Sequence, residues 1–188
     1  PLDLTTEDSL VDAILEIWYP GTSGGLGVAD VLFGKYNPSA KLPITFPRNI
    51  GQIPIYYNVK NTGRPISKDN PTEDYKSNYI DSPNSPLYPF GHGLSYTTFK
   101  YSEIKLSNDV ISESETLKAS TTITNSGDYD GHEIVQLYIH DEVGSITRPV
   151  KELKGFKKVF IKRGQSKIIT FEISSDDLKF YNNGRLTI

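Results

Sequence analysis

The sequence predicts a mainly β protein, an antiparallel β-sandwich over residues 95–188 preceded by an α/β-like piece over residues 1–48. Three observations point there. Apolar residues alternate with period two in several runs of the second half, and turn residues separate the runs. Near the start, a continuous apolar run meets a glycine-rich turn and then a segment of helical period. Between the two, residues 49–94 show neither period and are rich in Pro, Asn, Tyr and Gly.

Taken in order, "TTEDSLVDA" places Thr5 three residues ahead of Asp8, with acids where a helix dipole favours them, so a short helix is predicted to start here. "AILEIWY" is apolar except for Glu16, which suits a strand covered on both faces in a parallel sheet. A helix continuing from Asp8 through Trp18 is the alternative. Pro20 and Gly21 end that run, after which Leu26, Ala29, Val31, Leu32 and Phe33 suit a short buried helix with Gly34 at its C-cap. The prolines of "NPSAKLPITFPRN" keep the next stretch extended. "NTGRPISKDNPTEDYKSNYIDSPNSP" reads as a long loop, and such loops are usually functional lids, linkers or disordered tracts. In the last part, one face is predicted from Leu117, Ala119, Thr121 and Ile123, another from Val135, Leu137 and Ile139, and a third from Ile169, Phe171 and Ile173. "TNSGDYDG" and "KRGQS" turn the chain between strands, as in a sandwich of about a hundred residues.

Composition excludes several function classes. The net charge of −3 comes with no block of Lys or Arg, so nucleic acid and anionic membrane are poor partners. No apolar run approaches the ~20 residues that cross a bilayer. With no cysteine there is no disulfide, thiolate nucleophile or Cys-ligated zinc. No methionine and no signal peptide are present, and "GRLTI" stops as an apolar segment begins; a fragment cut at both ends is expected.

The residues carry little self-contained chemistry. Gly21, Gly24, Gly25 and Gly27 match neither a dinucleotide fingerprint nor a phosphate loop, and tight turning with close packing is the plainer use of them. His92, His132 and His140 share no metal spacing, His140 being expected on a strand surface; no metal and no cofactor are expected. Asp128, Asp130 and Glu133 of "DYDGHE" lack the pattern of a calcium loop and suit a β-turn. No carboxylate pair is marked as an acid/base couple among Asp3, Glu7, Asp8, Asp12, Glu16, Glu73 and Asp74, so no catalytic residue is assigned. The tyrosines Tyr56, Tyr57, Tyr75, Tyr79 and Tyr88 could stack on sugar rings, although packing within the loop is the commoner use of such residues.

"ILEIWYPGTSGGLGVADVLFGKYNPSAKLPITFPRN" resembles the end of the α/β sandwich domain of glycoside hydrolase family 3. "QIPIYYNVKNTGRP" and "LYPFGHGLSYTTFKYS" resemble the connector of its β-glucosidase branch. "ITNSGDYDGHEIVQLYI" and "RPVKELKGFKKVFIKRGQSKIITFEI" resemble its fibronectin type III-like (immunoglobulin-like) domain. The resemblance implies three segments: residues 1–48 from the α/β sandwich domain, 49–94 an extended connector, and 95–188 the fibronectin type III-like domain, expected to be truncated at its C-terminal end. It also implies a retaining, exo-acting β-glucosidase whose Asp nucleophile and Glu acid/base both lie upstream of Pro1, leaving this piece inactive alone. Thr22-Ser23 stand where the family commonly has a polar pair such as Gln-Glu, which argues against a sugar contact at that turn. The loop around "NTGRP" is the better reach toward a substrate cleft, with Arg64, Tyr75 and Tyr79 as candidate substrate-binding residues.

The implied partners are a β-glucoside or oligosaccharide, met through the complete enzyme, and the upstream catalytic domains, with a homodimer also allowed. A β-xylosidase or other exo-glycosidase of the family is the first alternative; a carbohydrate-binding or purely structural β-sandwich module is the second. Asn37 and Asn70 are each followed by Pro, so there is no N-x-Ser/Thr acceptor, which accords with a bacterial periplasmic or secreted enzyme.

Overall fold

The computed structural model describes residues 3–66 and 75–187. Two compact units divide the chain: Pro1–Ala29 with Ala40–Gly93 and Ile139–Glu152, and Asp30–Ser39 with Leu94–Tyr138 and Leu153–Ile188.

Helix α1, Thr5–Leu10, is present but is not capped as the Thr5/Asp8 spacing predicts. The Asp3 carboxylate instead accepts the Thr5 N–H at 3.0 Å, and Thr5 gives its hydroxyl to the Arg48 carbonyl. The helix stops at Leu10 because Val11 is already extended, which removes the alternative of a helix through Trp18. The following run, which ends at Trp18 in a left-handed φ of 47°, carries no regular structure and is not the doubly covered strand the sequence predicts. Among the described residues it has no ladder partner, and Ile14, Leu15, Ile17 and Trp18 are 38%, 40%, 44% and 48% exposed. A strand is defined by a neighbour that takes its N–H and C=O groups, and no described segment runs alongside. Helix α2, Gly24–Leu32, follows the turn, and Gly34 ends it at φ 74° as predicted. Its burial is not as predicted, since Leu26, Leu32 and Phe33 are all exposed. The turn itself needs its glycines: Gly21 sits at φ 67°, and a Cβ on Gly24 would lie 2.4 Å from Pro20 Cβ.

The middle segment contains a single 3₁₀ turn, Ile50–Gln52, and otherwise irregular chain among its described residues. Apart from Ile139 and Glu152 at two strand ends, the second unit holds the β elements: β1 Phe99–Tyr101, β2 Lys105–Leu106, β3 Leu117–Asn125, β4 Gly131–Ile139, β5 Glu152–Ile161 and β6 Ser166–Ile173. The short helix α3, Ser175–Leu178, and a hairpin of β7, Phe180–Asn182, with β8, Arg185–Thr187, complete the chain. Strand β3 is the hub. It pairs antiparallel with β6 from Leu117↔Ile173 to Thr124↔Ser166, while β1 and β2 lie one after the other along its other edge. Strands β4 and β5 form a second, two-stranded sheet. Ile123 and Ile169 from the first sheet meet Val135 and Ile161 from the second, with Phe99, Val159 and Phe171 packed around them. This is the sandwich core, and each of its buried branched side chains contributes about 1.5–3 kcal/mol. The inward positions of β3 and β6 fall on the faces that the period-two pattern predicts, with Ala119, Ile123, Ile169 and Ile173 all buried.

Candidate functional site

The loop that carries the candidate residues is anchored by a chain that cannot anchor itself. Pro83, Pro86 and Pro89 have no N–H to give, so residues 83–93 pair only intermittently with residues 41–48. Phe46 N–H donates to the Tyr88 carbonyl at 2.8 Å, Leu87 N–H to the Phe46 carbonyl at 3.0 Å, and Leu42 N–H to the His92 carbonyl at 2.7 Å. Side chains supply the rest. Gln52, only 1% exposed, donates to the Pro83 carbonyl at 2.8 Å and accepts the Arg48 N–H at 2.6 Å, while Arg48 Nε donates to the Ser85 carbonyl at 3.0 Å. Tyr88 donates to the Asp8 carboxylate, a bond that holds its hydroxyl above the usual range, and stacks on His92 at 5.3 Å. Burial, aided by Lys41, lowers the His92 imidazole. Tyr57 stacks on Phe90 at 4.2 Å. Two of the five loop tyrosines are therefore committed to packing.

Arg64, Tyr75 and Tyr79 are all exposed. The Ser77 N–H donates to the Arg64 carbonyl at 2.9 Å and closes a neck there, so Arg64 and Tyr75 leave the anchored base at the same place, while Tyr79 follows just outside it. Tyr75 is 84% exposed and held at φ 61°, a left-handed conformation that costs a non-glycine residue of order 1 kcal/mol. Tyr79 has its N–H taken by the Asn84 side chain at 3.2 Å. Glu73 and Asp74 lie outside the described residues. Of the other carboxylates, Glu16 accepts the Trp18 N–H at 2.8 Å and Asp8 serves Tyr88, each a local structural use.

The sequence reading passed over the loop between β4 and β5, which belongs to the first unit. Residues 140–148 and Asn61 line a cleft of about 510 Å³. Arg148, with its side chain 10% exposed, pairs with Glu152 at 2.7 Å and Asp141 at 3.5 Å. Its only sequence signal was the Arg-Pro of "TRPVKEL". His140 is exposed as expected but sits one residue beyond β4. The acids of "DYDGHE" do not converge on one point: Asp128 pairs with the Arg163 guanidinium at 3.1 Å and Asp130 accepts the Arg163 backbone N–H at 2.8 Å, while the buried Glu133 accepts the Tyr101 hydroxyl at 2.9 Å. Among the described residues no helix is long and apolar enough to cross a membrane, and no group of three or more His, Asp or Glu is placed to hold a metal ion.

Comparison with known proteins gives these parts a class and then a family. The profile of a fibronectin type III-like domain matches residues 133–187, in keeping with the two-sheet core. The profile of the glycosyl hydrolase family 3 C-terminal domain matches residues 1–96, more than half of the chain, and the chain belongs to that family. It is 51% identical over 182 residues to a periplasmic β-glucosidase of Salmonella typhimurium, covering 97% of this chain and 24% of that protein. It is 40% identical, over 97% of this chain and 24% of the relative, to a β-xylosidase of Formosa agariphila. The crystal structure of a β-glucosidase from Listeria innocua in complex with glucose superposes with a TM-score of 0.95 at 44% identity, covering 100% of this chain and 26% of that one. The chain thus spans about a quarter of the length of the relatives it matches.

Proposed function

We propose that this chain is the C-terminal part of a retaining, exo-acting β-glucosidase that removes terminal non-reducing β-D-glucosyl residues in the periplasm or outside the cell. The observation that carries this is the 51% identity to a periplasmic β-glucosidase along 97% of the chain. In such an enzyme two carboxyl groups about 5–5.5 Å apart form and then hydrolyse a glycosyl-enzyme intermediate. Both are assigned to the upstream part because the family's layout, which this chain matches along 97% of its length to a relative it covers only to 24%, puts them ahead of the segment matching Pro1. Residues 1–48 complete the α/β sandwich domain, 49–94 form the connector, and 95–188 form the fibronectin type III-like domain. The unpaired run at residues 13–18 is the place where strands of the upstream part add, since only a neighbouring strand and its cover would satisfy that backbone and bury Ile14, Leu15, Ile17 and Trp18.

Arg64, Tyr75 and Tyr79 serve as the cleft rim. Their exposure supports this, as does the neck that the Arg64–Ser77 bond closes at Arg64 and Tyr75, and so does the left-handed backbone of Tyr75, since strain of that kind collects where function requires it. The 40% identity to a β-xylosidase favours a second reading in which the removed sugar is xylose. Hydrolysis of chromogenic β-glucoside and β-xyloside by this chain alone and by the complete protein tests both. The expected result is no turnover by the chain, turnover by the complete protein, and a preference for the glucoside. Turnover by the chain alone would move the chemistry to a carboxylate such as Glu16, and preference for the xyloside would select the second reading.

A further inference from the structure

The loop between β4 and β5 wraps around its own arginine. Arg148 extends beneath it with Asp141 at Nε and Glu152 at Nη2, and a Cβ on Gly144 would stand 2.9 Å from Arg148 Cγ and 3.0 Å from the Ile146 carbonyl. Only a glycine lets the loop cross this closely over the arginine stem. Immediately after the arginine, the loop grips the connector. Pro149 bridges Lys60, and the Val150 N–H donates to the Val59 carbonyl at 2.8 Å. Asn61 follows on the wall of the cleft, and Arg64 lies three residues further along. The register of the Arg64 segment is thus held by a loop whose shape depends on one nearly buried cation.

We infer that Arg148 is a positioning residue for the substrate cleft: it shapes the 140–149 loop, and the loop sets where residues 59–64 present Arg64. The inference rests on the reading of Arg64 as a rim residue. Arg148 is enclosed by Asp141 and Glu152 with its side chain 10% exposed, so its loss is expected to act through the loop on substrate binding rather than on bond cleavage. Removing one partner of a paired, mostly buried charge also leaves Asp141 and Glu152 facing each other without their cation, which would open the loop.

Two measurements test it. Hydrogen exchange on the complete enzyme with Arg148→Ala and with Gly144→Ala should show the Val150 amide exchanging at least tenfold faster, while the β3 and β6 amides keep their protection. Unchanged exchange at Val150 overturns the inference. In the complete enzyme, Arg148→Ala should raise KM for a β-linked glucose disaccharide by about three- to tenfold, the size of one displaced polar contact. The kcat should stay within about twofold, and Arg148→Lys should recover part of the loss. If Arg64→Ala raises KM and neither Arg148→Ala nor Gly144→Ala does, the rim stands and the positioning role falls. If Arg64→Ala also leaves KM unchanged, the rim falls and the inference with it. A loss of kcat at constant KM overturns it as well.

Discussion

Tyr101 and Glu133 join the two sheets of the sandwich through one hydrogen bond at a buried carboxylate. Burial, and then the bond to Glu133, push the Tyr101 hydroxyl well above its usual range. A folded-state value above the unfolded one means that the folded protein keeps the proton longer. The stability from this group is therefore complete below pH ~10 and is lost as pH rises further. Tyr101→Phe should cost about 1 kcal/mol at pH 7. The gap to the parent chain should then close above pH 10. It should close by less than the ~1.4 kcal/mol per pH unit of a fully buried titration, because the ring is 48% exposed. Urea midpoints at pH 7, 10 and 11 check this, and a gap constant over that range would contradict it. The period-two pattern could not reveal the pair. Glu133 lies on the inward face of β4 with Val135, where an alternating reading expects apolar residues, and its partner is 32 residues away.

At the scale of elements, Asn125 decides how β3 ends. Completely buried, it accepts the Thr97 hydroxyl at 2.6 Å and the Gly127 N–H at 3.2 Å, and donates to the Tyr129 and Ile161 carbonyls at 2.8 and 2.9 Å. One amide thus joins β3 to its turn and to β5. Asn125→Ala would leave these buried groups without that partner, and a loss of about 2–4 kcal/mol is expected. Asn125→Asp should cost at least as much, because a carboxylate would face two carbonyl oxygens. Thermal melts with exchange protection at β3 and β5 measure it; an Asp variant as stable as the parent would exclude the network as drawn. In "ITNSG" this residue read only as turn chemistry. The turn was legible because Asn, Ser and Gly favour it locally. The buried network was not, because its partners come from positions 97 and 161. Gln52 escaped notice for the same reason: its carbonyl partner belongs to a proline-rich segment 31 residues on.

For the whole molecule, the exposed run at residues 13–18 should behave oppositely in two contexts. In this chain, Ile17→Ala removes exposed apolar surface and should reduce self-association and hydrophobic dye binding without lowering the melting temperature. In the complete protein the same change would empty a packed position and cost about 2–5 kcal/mol. Light scattering on the chain and calorimetry on the complete protein separate the two; equal effects in both would show that nothing covers this run.

The sequence by itself determined the order of parts: an apolar run, a glycine turn, a helix, a proline-rich connector and an alternating sandwich. Each of these is a local property of period, turn chemistry and missing N–H groups, and the motifs that revealed the family are local as well. Only the tertiary structure decided which polar residues are buried and paired. It brought Arg148 beside Asp141 and Glu152, Asn125 among its four partners, and the 140–149 loop onto the connector. It also showed the apolar run of residues 13–18 as irregular chain rather than strand. A hydrogen bond and a β-ladder each need a second partner brought in from elsewhere in the fold, and no local pattern contains that partner.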